Sequence, residues 1–178
     1  MHKKKVVFLD RDGTINVDSG FVCRREDWEW IPGAREGMKK LQEAGFLLAV
    51  VTNQSGIGHG LYAETDMRKL HKYMEGELAR AGVKLTAVFY CPHRRDGNCG
   101  CRKPATGMIE QAERLLGPID YGQSWVIGDK IADMEMGKNR GMKTALIRSR
   151  YWQESDIDKQ PDVVVDSLLE VAERIVNQ

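Results

Sequence analysis

The chain is 178 residues long, with 42% hydrophobic and 30% charged residues and a formal net charge of +1. That length predicts one domain over residues 1–178, burying roughly 70% of the surface that the unfolded chain exposes. A near-neutral balance without an aromatic-plus-basic patch gives no reason to expect nucleic acid, and no apolar run approaches the ~20 residues of a membrane span.

Lys3-Lys4-Lys5 leads directly into the apolar run Val6–Leu9, a short strand ending in Asp10. No secretory h-region stands there, which predicts a cytoplasmic protein. Pro32-Gly33 opens a helix through Met38, Leu41 and Ala44 that Gly45 stops. Phe46–Thr52 is a β-rich run of a length suited to a strand covered on both faces. Met67, Leu70, Met74, Leu78 and Ala81 recur at helical steps, the core-facing stripe of a long helix that Gly82 ends. Ala87–Tyr90 is the third strand. After a cysteine-bearing loop, Thr106 caps a helix carrying Ile109, Ala112, Leu115 and Leu116, and Gly117-Pro118 ends it. Ser124–Ile127, Thr144–Ile147 and Val163–Val165 are further strands, with helices near Ile131–Arg140 and Leu168–Val176. The four tryptophans read as packing, His59 as a solvent-facing loop residue and Cys23 as an ordinary thiol. Alternating strands and helices predict an α/β fold, a three-layer parallel sheet whose sites lie beyond the carboxyl ends of its strands.

Four segments stand beyond such strand ends: Asp10-Arg11-Asp12-Gly13-Thr14, Thr52-Asn53-Gln54-Ser55-Gly56, Arg102-Lys103-Pro104 and Gly128-Asp129-Lys130-Ile131-Ala132-Asp133. In extended chain, residues two apart face the same side, so Asp10 and Asp12 look into one site. Gly13 lets the backbone turn, and Thr14 offers a hydroxyl. Asp129 and Asp133 add carboxylates from another strand end. Gathered carboxylates repel and need a cation, and Mg2+ suits an all-oxygen set. Thr52 and the amides after it can donate to phosphate oxygens, while Lys103 neutralises charge. Asp10 is then free to act as a nucleophile, forming an aspartyl-phosphate. Asp12 would protonate the leaving alkoxide, then take a proton from the hydrolytic water.

Of the four cysteines, three crowd with His93 into one short loop, Cys91 to Cys101. A disulfide framework would space them differently. The three thiolates of Cys91, Cys99 and Cys101 with the His93 imidazole make a closed tetrahedral set, suited to structural zinc. Arg102-Lys103 follow directly, so zinc would fix the loop that aims the lysine.

These segments resemble the motifs of the haloacid dehalogenase superfamily of aspartate-nucleophile phosphatases. Asp10-x-Asp12-Gly13-Thr14 is similar to its first motif, Thr52 to its second, Lys103 to its third and Gly128-Asp129 with Asp133 to its fourth. The resemblance implies a Rossmann-like core without a large cap domain and Mg2+ on Asp10, Asp129 and the backbone carbonyl of Asp12. Asp133 would then orient Lys103 or a metal-bound water. Within the superfamily, Thr-Asn-Gln-Ser-Gly-Ile and Cys-Pro-His followed by Cys-Gly-Cys-Arg-Lys-Pro resemble the heptose-bisphosphate phosphatases. That narrower resemblance implies a phosphorylated sugar as substrate, and the chain is expected to act as a monomer. It puts substrate contacts on Asp18, Ser19, Gly20 and Phe21, on Asn53, Gln54 and Ser55, and on Arg102 and Lys130. Histidinol-phosphate phosphatases are the near alternative. Ser55, the Gly56–Gly60 stretch and Lys130 favour the heptose enzymes. A zinc-binding scaffold without chemistry would be expected to lack Asp10, Asp12 or Lys103, and all three are present.

Overall fold

The computed structural model describes residues 3–149 and 160–177. Among them six strands appear: β1 (Val6–Leu9), β2 (Leu47–Asn53), β3 (Ala87–Cys91), β4 (Trp125–Gly128), β5 (Lys143–Ile147) and β6 (Val163–Val165). All pair in parallel, in the order β3-β2-β1-β4-β5-β6. Both faces of β1 and β4 are buried along their whole length, which explains why they read as unbroken apolar runs rather than as alternating ones. The pleat still sorts side chains: Val7 and Leu9 join one core and Val6 and Phe8 the other.

The first core lies under α1 (Ala34–Glu43), α3 (Glu64–Arg80) and α6 (Leu168–Val176). The second lies under α4 (Gly107–Leu116) and α5 (Ile131–Lys138). The Met67, Leu70, Met74 and Leu78 stripe of α3 is buried, as its spacing predicts, while Ala81 is half-buried just beyond the helix. α6 is held at its start by Ser167, whose Oγ accepts from the Glu170 amide at 3.2 Å. Two local expectations change. Thr106 stands at the head of α4, but its hydroxyl is 2.9 Å from Glu110 Oε1 and makes no backbone cap. Leu115 is 64% exposed, because it falls between the core-facing positions of its helix. Trp28, Trp30 and Trp125 pack against the first core, and Trp152 lies outside the described residues.

The chain runs outward from β1 to β3, then returns to β4 on the other side of β1. Neighbouring connections therefore diverge between β1 and β4, the switch point where open α/β sheets bind ligands. Leu9 pairs with Val50 and with Ile127. Asp10 thus emerges one residue beyond paired chain, and its amide still donates to the Ile127 carbonyl at 2.9 Å.

Candidate active site

A cavity of about 260 Å³ opens at this switch point. Asp10, Asp12, Lys103 and Asp133 border it, with Asn53, Gln54 and Ser55 from the end of β2 and the short helix α2 (Ser55–Gly58). Asp18, Gly20 and Phe21 form another wall, and Arg102 and Lys130 a third. Ser19 is exposed and does not border the cavity, because the turn closed by the Gly20 amide on Asp18 Oδ1 carries it outward. Phe21 reaches the rim with a φ of 50°, half exposed. His59 is exposed, as expected, with its ring edge-on to Phe21.

Lys103 is the hub. Its ammonium lies 2.8 Å from Asp10 Oδ1 and 2.7 Å from Asp133 Oδ1, and it donates to the Val51 carbonyl at 2.9 Å. Burial alone would push this ammonium down, but the Asp10 and Asp133 charges outweigh it and leave it raised. Asn53 holds the lysine's backbone, its Oδ1 accepting from the Lys103 amide at 3.1 Å. Thr52 is buried, with its Oγ1 accepting from Gln54 Nε2 at 2.8 Å. Lys130 stands 3.3 Å from Asp18 Oδ2, 3.5 Å from Asp129 Oδ1 and 4.0 Å from Asp10 Oδ2.

Carboxylate oxygens of Asp10, Asp129 and Asp133 lie within 4.8 Å of one another. Both oxygens of Asp129 are buried with no hydrogen-bond partner. Its carboxyl is pushed up to about 7, by burial first and then by Asp10, with Lys130 and Lys103 opposing only in part. A buried, unsatisfied carboxyl next to two others is what a hard cation relieves, so the donor set fits a divalent ion with oxygen ligands. Gly13 leaves room for it. With a φ of 86°, it brings the backbone so close that an added Cβ would sit 2.2 Å from Asp129 Oδ2.

Beside the cavity, Cys91, His93, Cys99 and Cys101 converge. Adjacent Sγ and Nδ1 atoms are 3.3 to 3.6 Å apart. A tetrahedron with ~2.3 Å metal–sulfur bonds has edges of about 3.8 Å, so the set has nearly the size of a metal site. Burial pushes the Cys91 thiol up to about 12. At Cys99, burial is outweighed by backbone and thiol hydrogen bonds, which bring its thiol down to about 6. A cation would therefore be needed to hold the Cys91 thiolate beside it. Arg102 Nη1 donates to the His93 carbonyl at 3.3 Å, tying this cluster to the cavity wall.

A family profile described as HAD-hydrolase-like matches residues 100–171. A D-glycero-beta-D-manno-heptose-1,7-bisphosphate 7-phosphatase from Haemophilus ducreyi is 40% identical, covering 94% of this chain and 96% of its own. The protein of the same name from Pasteurella multocida is 39% identical over 97% of each. The chain belongs to the heptose-1,7-bisphosphate 7-phosphatase family. A crystal structure of a D,D-heptose 1,7-bisphosphate phosphatase from B. bronchiseptica, with magnesium and phosphate, superposes with a TM-score of 0.87. It is 30% identical and covers 97% of this chain and 98% of that one. As a member of this family, the chain is a phosphoric monoester hydrolase on a haloacid dehalogenase fold.

The sequence reading missed several residues at the heptose-bisphosphate phosphatase site. Tyr62 borders the cavity and donates to Gln54 Oε1 at 2.7 Å, and nothing in its sequence context signals this. Arg11, inside the first motif, is fully buried, and His71 is 6% exposed. A polar residue at helical spacing between Met67 and Met74 was the available signal for His71.

Proposed function

We propose that the chain removes the C7 phosphate of D-glycero-D-manno-heptose 1,7-bisphosphate, in ADP- or GDP-heptose biosynthesis, as a cytoplasmic monomer of one domain. The observation that carries this reading is near-full-length identity of 40% to a phosphatase named for that substrate. The cavity chemistry supports it. The Lys103 and Lys130 ammonium groups both face carboxylates, whereas the Arg102 guanidinium at the rim meets a carbonyl. A substrate with a second, non-reacting phosphate gives Arg102 a partner suited to its planar fork.

Asp10 and Asp129, with the Asp12 carbonyl, would hold Mg2+, and Cys91, His93, Cys99 and Cys101 would hold zinc. Bound Mg2+ supplies the positive charge that lets a phosphate dianion approach a carboxylate. Asp10 attacks phosphorus, and the bond to the sugar oxygen breaks as Asp12 delivers a proton to that oxygen. Asp12 then takes a proton from the water that attacks the aspartyl-phosphate, returning Asp10 and free phosphate. Lys103 and the Thr52 hydroxyl serve the transferring phosphate oxygens. Asp18, Gly20 and Phe21 would face the sugar on one side and Asn53, Gln54 and Ser55 on the other, with Arg102 and Lys130 on the distal phosphate, while the outward-turned Ser19 takes no part.

A phosphate-release screen across heptose 1,7-bisphosphate, heptose 7-phosphate and histidinol phosphate tests the substrate. The bisphosphate should have the highest kcat/KM, and faster turnover of histidinol phosphate would refute the assignment. Arg102→Ala should lower kcat/KM for the bisphosphate by about 10–100-fold, the value of a charged hydrogen bond of ~1.5–3 kcal/mol, and lower it far less for an aryl phosphate.

Zinc has a separate test. Binding free energy at such a site is largely folding free energy, and a chain of this size loses about 3 °C of Tm per kcal/mol. Cys99→Ser should therefore lower Tm by roughly 10 °C or more and abolish the one equivalent of zinc found by elemental analysis. An unchanged Tm, or no zinc in the parent protein, would count against the site.

A further inference from the structure

Arg11 has no part in the steps above, yet its guanidinium is buried beside the acid–base group. Nε donates to Asp12 Oδ1 at 3.2 Å, and Nη2 donates to Asp12 Oδ1 at 2.9 Å, to Oδ2 at 3.0 Å and to the Val22 carbonyl at 2.6 Å. Nη1 lies 3.0 Å from His71 Nε2. Asp12 also accepts from Asn16 Nδ2 at 2.9 Å and Gln54 Nε2 at 3.0 Å, so both its oxygens are gripped. The His71 pKa is pushed down to about 3, by burial first and then by Arg11 and Arg68. A neutral ring facing a guanidinium donor accepts at Nε2, which assigns its proton to Nδ1.

We infer that Arg11 and His71 are positioning residues: His71 holds the Arg11 guanidinium, and Arg11 fixes the Asp12 carboxylate in the orientation that protonates the leaving oxygen. This rests on the reading of Asp12 as the acid–base group. The terminal torsion of an aspartate is soft, so only donors on both oxygens fix its plane. A guanidinium fork does this, and a lysine of equal charge does not. The fork has five N–H groups to satisfy in a buried place, and the stripe of α3 supplies His71 as the acceptor that takes one of them. Displacing a reacting group by about 1 Å can cost on the order of 10²-fold in rate.

A merely structural role would harm every substrate alike. Misplacing a general acid harms poor leaving groups selectively, because an alkoxide needs the proton and 4-nitrophenolate does not. The test compares kcat/KM for 4-nitrophenyl phosphate with that for the best alkyl phosphate from the phosphate-release screen, in the full-length enzyme with Mg2+. His71→Leu should lose about 10–100-fold on the alkyl ester and several-fold less on the aryl ester. His71→Gln, which returns an acceptor to the same place, should recover most of the alkyl activity. Arg11→Lys should show the same selective loss. Equal losses on both esters, or parental alkyl activity in His71→Leu, would overturn the inference. Wild-type enzyme that ignores the heptose bisphosphate but hydrolyses another alkyl phosphate would refute only the substrate assignment, and the comparison between esters would still decide the positioning role.

Discussion

Asp10→Asn should fold as the parent does and turn over every phosphate ester slower by roughly 10⁴–10⁶-fold, the loss expected if Asp10 is the covalent nucleophile. The amide is nearly isosteric with the carboxylate, and the side chain sits at the inner end of the cavity, 3% exposed. Its one remaining oxygen can still accept from the Lys103 ammonium, now 2.8 Å from Asp10 Oδ1. Removing one of three clustered carboxylates relieves repulsion, so Tm should not fall. Asp12→Asn should lose less, about 10²–10⁴-fold, because it removes proton transfer and not the attacking atom. Steady-state kinetics on purified protein, with thermal unfolding as the control for folding, make the comparison. Substantial turnover by Asp10→Asn would refute the covalent route.

Lys103→Ala carries the second largest effect and strikes both function and stability. Its ammonium would serve the transferring phosphate in any substrate, so kcat/KM should fall about 10²–10³-fold for sugar and aryl phosphates alike. That equality separates it from Arg102→Ala. For stability, the substitution leaves Asp10 and Asp133 facing each other without their shared cation, and breaking a buried pair this way costs about 3–5 kcal/mol. The cost depends on pH. Burial pushes the Asp133 carboxyl up to about 6, against the pull of Lys103 and with the push of Asp10. The folded state thus holds this proton more tightly than the unfolded state, a contribution fully present below about pH 4 and lost as pH rises through about 6. Without Lys103 the proton is held tighter still. In metal-free protein, the Tm gap between parent and Lys103→Ala should narrow as pH falls from 8 to 5. A gap that stays constant or widens would show that the lysine does not compensate these carboxylates.

The sequence by itself determined the elements of the family fold, because the forces that form them act locally. The run Val6–Leu9 became a strand within its predicted limits, since a strand buried on both faces must be apolar throughout, and the β-branched run Val163–Val165 did so at the sheet's edge. Gly45, Gly82 and Gly117 ended their helices with φ between 78° and 87°, a backbone region closed to most other residues. Strand ends in turn located the four segments, and the cysteine loop was legible because Cys91, His93, Cys99 and Cys101 are near neighbours in the chain. Only the tertiary structure decided which of these segments meet. Asp10 faces Asp129 because β1 lies between β2 and β4, and no periodicity encodes that order. Ser19 turns outward, Thr106 finds Glu110 instead of its own backbone, and Tyr62 reaches Gln54 across a loop. The pairing of Arg11 with His71 spans sixty positions of sequence. A buried charge must find its partner wherever the fold brings an acceptor close. That partner is set by how α3 packs against the sheet, which local propensity leaves open.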